Sequence, residues 1–270
     1  MLPLSSVRVV AVEQYGAGPF GTMFLADLGA EVIKIENPAD GGDISRDVGP
    51  YYFEDRDSYF FHALNRNKKS FTLDLSKAGS KKVFHDLVRS ADAVCSNLRG
   101  DVPQKLGLTY QDLNTVNTAI VCAHLSAYGR EGPRADWPGY DYLMQAEAGY
   151  LSLTGEPGSP PARFGLSVVD FMTGLGLAYA ILAGLTGVRS TGVGQDMDVS
   201  LLILPWQTPI ISLHGTSMKA VRRNDYLGLH IRLWYLVSFT APLTDGCSLC
   251  ATKKNSGRPY AMRLPDRSGK

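Results

Sequence analysis

VRVVAVEQYGAGPFGTMFLADLGAEVIKIE, residues 7–36, decides the fold. Val7 to Val12 is a β-branched run ending at a glycine-rich turn. Phe20 to Leu28 carries apolar residues at helical spacing, and Glu31 to Glu36 returns to strand character. Strand, helix and strand in so short a span make a βαβ unit, and the alternation continues outward from it. Ser70 to Leu75 predicts a strand, Lys81 to Ser90 a helix, Ala91 to Cys95 a strand, Leu106 to Asn117 a helix and Ala119 to Leu125 a strand. Strands joined by helices of this length predict a parallel sheet covered on both faces, an α/β architecture up to about residue 200. Phe171 onward (FMTGLGLAYAILAGL) reads as a buried helix. Its most apolar run, Gly174 to Leu185, spans 12 residues, short of the ~20 that cross a bilayer.

The turn inside the βαβ unit has two readings. Gly16-Ala17-Gly18-Pro19-Phe20-Gly21 fits G-x-G-x-x-G, and Glu36 follows at about the distance of a ribose-binding acid, which points to a dinucleotide. Against it, Glu13, Gln14 and Tyr15 separate the strand from the first glycine, and Pro19 occupies the loop, so a plain packing turn stays open. Asn65-Arg66-Asn67-Lys68-Lys69 sets three cations and two amides ahead of the next expected strand, either as a phosphate grip or as a solvated charge run. Asp170 stands between an apolar approach (FGLSVV, 164–169) and the apolar helix. One reading is an N-cap. The other is a carboxylate kept ionised by the helix start and able to attack an acyl group. Trp137-Pro138-Gly139-Tyr140-Asp141 leads into a further helical stretch and offers a phenol and a second carboxylate.

With 270 residues, 44% hydrophobic and 20% charged, the chain can bury a sizeable core, which excludes disorder and small disulfide scaffolds. Its net charge of +1 provides no field for nucleic acid or an anionic membrane, so a small molecule is the expected partner. Cys95, Cys122, Cys247 and Cys250 are too scattered for a disulfide framework, and Met1 to Ser6 lacks a basic segment followed by an apolar core; a cytoplasmic protein is expected. His62, His85, His124, His214 and His230 are dispersed without metal-ligand spacing, and Cys247-x-x-Cys250 has no second pair, so no metal site is expected.

Several ordered segments together resemble the class III CoA-transferases, the family of formyl-CoA transferase and carnitine CoA-transferase. They are AGPFGTMFLADLGAEVIKIENP (17–38), LNRNKKSFTLDLSK (64–77), SADAVCSNLRGDV (90–102) with QKLGLTYQDLN (104–114), PGYDYLMQAEAGYLSLTGEPGSPPARFGLSVVDFMTGL (138–175) and STGVGQDMDVSLL (190–202). The resemblance implies a Rossmann-like large domain over residues 1–204, with coenzyme A as substrate and no permanently bound cofactor. By position it implies that Tyr15, Gly16 and Ala17 lie along the CoA, that Asn67 and Lys68 stand near its phosphates, and that Asn97, Leu98 and Lys105 continue the cleft. It implies Tyr140 and Asp141 at the acyl end and Asp170 as the catalytic aspartate, which forms a mixed anhydride and then an aspartyl-CoA thioester. Asn37 stands where some members carry an arginine against the nucleotide. Racemases of the same fold pair an aspartate with a histidine, and the matching position here is Tyr140; a phenol, with an ordinary pKa near ~10, is a poor match for that general base.

In the family, the chain passes into a small domain and returns, and two subunits interlock as a homodimer. Here residues 219–270 hold ten Lys/Arg against three Asp/Glu, net +7, which leaves 17 against 23, net −6, in residues 1–218. Residues 205–270 are therefore read as a linker and a divergent basic tail, a remnant of the small domain with little order, from a frame truncated or shifted near residue 225. A catalytically silent CoA-binding remnant is the competing functional reading.

Overall fold

The computed structural model describes residues 1–156 and 159–204. Six parallel strands form one sheet in the order β3-β2-β1-β4-β5-β6: β1 (Arg8–Val12), β2 (Glu31–Glu36), β3 (Lys68–Thr72), β4 (Ala93–Ser96), β5 (Val121–Ser126) and β6 (Gln195–Ser200). Register is continuous across the centre, with Val10 opposite Ile33 and Val94, and Val94 opposite Cys122. The order reverses direction between β1 and β4, and ligands of such sheets sit outside the strands' carboxyl ends at that switch.

Side-chain alternation divides the core into two layers. Val9, Ala11, Ala93, Cys95, Val121 and Ala123 face one way, toward helices α1 (Ala17–Asp27) and α7 (Val168–Thr191). Val10, Val12, Val94 and Cys122 face the other, toward α3 (Ala78–Val88), α4 (Val102–Leu106) and α5 (Tyr110–Leu113). Two short helices complete the described set: α2 (Tyr59–Asn65) and α6 (Asp141–Glu147).

The contact between α1 and α7 positions the site. A Cβ on Gly21 would overlap the carbonyl oxygen of Gly174, and one on Gly174 would overlap the carbonyl of Ala17, so the two backbones touch where both lack side chains. Phe20 and Phe171 stack beside this contact with ring centroids 4.4 Å apart. The start of α7 is thereby pressed against the start of α1. Gly174→Val is expected to destabilise the protein by about 3 kcal/mol, through overpacking that neither helix backbone can relieve, measured by urea unfolding.

Several sequence expectations shift. β3 begins at Lys68, not Ser70, and ends at Thr72, so Lys68 and Lys69 lie inside the strand and Leu73 to Leu75 beyond it. The helix expected over Leu106 to Asn117 is two short helices, because Gly107 takes a left-handed conformation (φ 72°) between them. α7 is longer than the apolar run suggested, and it is long and apolar enough to cross a membrane by length and composition alone. In this fold the expected buried helix packs on α1, β5 and β6 through residues such as Leu177, Ala180 and Ile181, while Leu175 and Tyr179 on its other side are exposed. The boundary after residue 204, the basic tail and the Cys247/Cys250 pair lie outside the described residues.

Candidate active site

The turn between β1 and α1 is held from two sides. On one, Asn97 at the end of β4 accepts from Gln14 N (2.8 Å) and donates to Gln14 O (2.6 Å). On the other, Tyr15 N donates to Asp43 Oδ1 (3.0 Å). Tyr15 is in the left-handed region at φ 67°, so these contacts hold a conformation the residue does not favour by itself. Asp43 is in turn paired with Lys34 Nζ at 2.8 Å, and the two side chains are 0% and 1% exposed. Lys34 also donates to the carbonyl of Glu13 (3.0 Å). The Glu13 carboxylate accepts from Thr22 Oγ1 (2.8 Å) and Lys68 Nζ (2.9 Å). Burial pushes the Asp43 carboxyl up, but the Lys34 charge together with hydrogen bonds from Lys34, Ser45 N and Tyr15 N outweighs this and holds it below its ordinary value. Lys34→Met is expected to cost about 3 kcal/mol, because Asp43 is left buried and uncompensated, as read from chemical denaturation.

Asp170 lies in the first turn of α7, at the third helical position. The N-cap position belongs to Ser167, so the N-cap reading of Asp170 is corrected. The helix start is served by another carboxylate: Asp141 Oδ2 accepts from Val169 N (2.8 Å) and Asp170 N (3.2 Å). Asp141 Oδ1 accepts from Gln145 Nε2 (2.5 Å), and Gln145 Oε1 accepts from Phe164 N (2.9 Å), which ties the apolar approach to α6. Burial, and then the negative charge of Asp141, push Asp170 from the ordinary 3.8 to about 7. The helix start does not hold Asp170 at the ordinary carboxylate value, because Asp141 takes those N–H groups and its charge adds to the effect of burial. An ideal Cβ on Gly16 would stand 2.8 Å from Asp170 Oδ2.

A crevice of about 390 Å³ opens at this point, walled by Tyr15, Gly16, Ala17, Trp137, Tyr140 and Asp170. A second, of about 230 Å³, lies over the ends of β1, β2 and β3, between Glu36, Asn37, Asp43, Asp74, Ser76 and Leu106. Gln14, Leu98 and Val102 line both, so the two adjoin along the switch point of the sheet. Of the residues singled out in the sequence, Tyr15, Gly16, Ala17, Asn97, Leu98, Tyr140 and Asp170 come together here. Four do not. Asn67 donates to Asp27 Oδ1 (2.8 Å). Lys68 is consumed by Glu13, the Pro19 carbonyl and Asn65. Lys105 turns to Asp101 (2.5 Å). Asp141 sits behind Asp170, buried, and not on the wall.

Sequence reasoning missed the Asp74–Ser76 wall, which followed from the two-residue slip in β3. It also missed the Lys34–Asp43 pair, although a lysine inside EVIKIE, on a parallel strand covered on both faces, requires a buried partner. Glu36, the expected ribose acid, is occupied: burial raises its carboxyl, but hydrogen bonds from Arg46, Ser70 and Asp43 N outweigh this and hold it at about 2.

The sequence model of CoA-transferase family III matches residues 4–225. A succinate–glutarate CoA-transferase of Agrobacterium fabrum is 40% identical over 205 residues, covering 74% of this chain and 51% of that protein. An acetyl-CoA:oxalate CoA-transferase of Acetobacter aceti is 38% identical over 200 residues, covering 74% and 51%. A crystal structure of a CaiB/BaiF family protein from Brucella suis superimposes with TM-score 0.74 at 33% identity, covering 84% of this chain and 58% of that one. The chain spans about half the length of the curated relatives it matches.

Proposed function

Because the chain belongs to CoA-transferase family III, we propose that its site moves coenzyme A from an acyl-CoA donor to a free carboxylic acid, with Asp170 as the nucleophile. One observation carries this reading: a carboxylate titrating at about 7 stands on the wall of a crevice beside a glycine turn that holds no side chain against it. A carboxylate raised in this way is more basic and more nucleophilic than a solvated one, yet still ionised in large part near neutral pH.

The two adjoining crevices suit an elongated ligand. The nucleoside end takes the acid-lined crevice, where Asp40 and Asp74 can accept from hydroxyl and amino groups. The pantetheine arm passes Leu98 and Val102, beside Arg99, whose guanidinium also pairs with Asp101 (3.2 Å). The thioester then meets Asp170. Its Oδ2 attacks the carbonyl carbon, the C–S bond breaks, and the electron pair leaves on sulfur as CoA thiolate. The thiolate attacks the resulting anhydride, frees the donor acid and leaves an aspartyl-CoA thioester. The acceptor carboxylate reverses both steps and regenerates Asp170. α1 opens beside Asp170 without a side-chain cap, which leaves its first N–H groups to face a developing oxyanion. Tyr140, with its ring stacked on Tyr142 at 5.9 Å, borders the acyl end. The relatives' names make dicarboxylates the first acids to try, and a cytoplasmic homodimer is the assembly this reading carries with it.

The test is direct. The purified chain is incubated with succinyl-, glutaryl-, oxalyl- and acetyl-CoA and quenched with hydroxylamine, and the peptide carrying Asp170 is weighed. A hydroxamate at Asp170 supports the reading. Its absence with every thioester, while CoA still binds, leaves a silent CoA-binding remnant. Deuterium exchange at an acyl α-carbon without adduct supports a racemase-like proton transfer.

A further inference from the structure

Backbone conformation does not account for the glycine at position 16. Gly16 has φ −113° and ψ −79°, outside the left-handed region that favours glycine, whereas its neighbour Tyr15, a bulky residue, takes φ 67° inside it. If conformational freedom were the reason for the glycine, it would stand at 15. Packing within the protein accounts for its neighbours: a Cβ on Gly18 would lie 2.8 Å from the Asn97 side chain, and one on Gly21 would strike the backbone of α7. At Gly16 the atoms within reach are Asp170 Oδ2, at 2.8 Å, and Asp170 Cγ, at 3.7 Å. Both residues line the same crevice.

We propose that Gly16 is a specificity-determining residue. By carrying no side chain it keeps Asp170 Oδ2 open to the carbonyl carbon of a thioester arriving over the turn, and so limits how bulky the acyl α-carbon can be. This rests on Asp170 as the nucleophile. Attack needs the carbonyl carbon about 3–3.5 Å from Oδ2 along an unobstructed line. A methyl group on residue 16 would occupy that line. The bond changes are unaffected: the C–O bond forms as the C–S bond breaks, and the electron pair leaves on sulfur. Only access to the oxygen differs. A branched α-carbon needs the same space as the missing side chain, so the two compete.

The experiment compares the wild-type chain, Gly16→Ala and a control, Gly79→Ala, whose Cβ would meet nothing within 4 Å. Rates of Asp170 adduct formation are measured with acetyl-CoA and with isobutyryl-CoA, beside CoA affinity by calorimetry and the melting temperature. Gly16→Ala is expected to lower the acetyl-transfer rate about 100-fold, and the isobutyryl rate by roughly a further tenfold, with CoA affinity and melting temperature unchanged. Gly79→Ala should match the wild type. Equal losses for the two thioesters would overturn the specificity role, and wild-type rates in Gly16→Ala would overturn the access role as well. Loss of CoA binding or of folding in Gly16→Ala would assign the glycine to structure and also overturn the proposal. Failure of the nucleophile reading is visible separately, as no adduct in the wild type with any thioester, and it removes this proposal with it.

Discussion

Asp170→Asn should abolish acyl transfer and at the same time make the protein more stable above pH 7. The loss of rate is expected to be about 10⁴-fold or more, because the amide cannot form the anhydride and no other described residue of the wall carries a carboxylate. The gain in stability follows from the same carboxyl. Its folded-state value of about 7 lies above the ordinary 3.8, so between these limits the folded chain holds a proton that the unfolded chain has released. The contribution is fully present below about pH 4, falls as pH rises, and is gone once pH passes about 7. Roughly three units at about 1.4 kcal/mol each is on the order of 4 kcal/mol. Asparagine matches the shape without the charge and removes that cost. The melting temperature of Asp170→Asn should therefore exceed the wild type's by on the order of 10 °C at pH 8, and the gap should close at pH 4. A gap that does not vary with pH would mean that the carboxylate is not held against Asp141 in a dry setting.

The arrangement that produces this behaviour was legible in part. The βαβ unit at residues 8–36 was readable because β-branched strands and an apolar helix repeat with different periods, and each period specifies its own element. β3 was misplaced for an equally physical reason. It is an edge strand, its residues after Lys68 are exposed, and an edge tolerates Lys-Lys-Ser-Phe-Thr, whereas the alternation of Phe71, Leu73 and Leu75 favours a later start. The slip moved Leu73–Ser76 out of the strand and onto the wall of a crevice. The resemblance sets Asn67 and Lys68 near the CoA phosphates, and the residues alone leave a phosphate grip and a solvated charge run open, because sequence shows polar groups and hides their partners; those of Lys68 and Asn67, Glu13 and Asp27, lie 55 and 40 residues away. Asp170 could be singled out locally, from an acid at the start of an apolar helix. That Asp141 caps that helix could not, because the contact joins residues 28 apart and depends on how α6 meets α7.

Asp141 supplies the second large effect, and it is a crossing of two pH profiles. In the wild type, adduct formation at Asp170 should rise about tenfold per pH unit below 7 and level off above it, because only the ionised carboxylate attacks. At pH 5.5 roughly one molecule in thirty is ionised. Asp141→Asn removes the neighbouring negative charge but keeps an oxygen for Val169 N and Asp170 N, so the helix start survives while Asp170 titrates lower. More of the variant is then ionised at pH 5.5, and it should react faster than the wild type there. Above pH 8 both are fully ionised. The variant's carboxylate, being less basic, should then be the slower nucleophile. A structural defect alone would lower the rate by one factor at every pH and could not make the curves cross. Asp141→Ala provides the contrast, since it removes the charge and the acceptor together and should add a loss of about 1 kcal/mol in stability. If Asp141→Asn keeps the wild-type midpoint, burial alone sets the titration of Asp170, and Asp141 serves only to hold the start of α7.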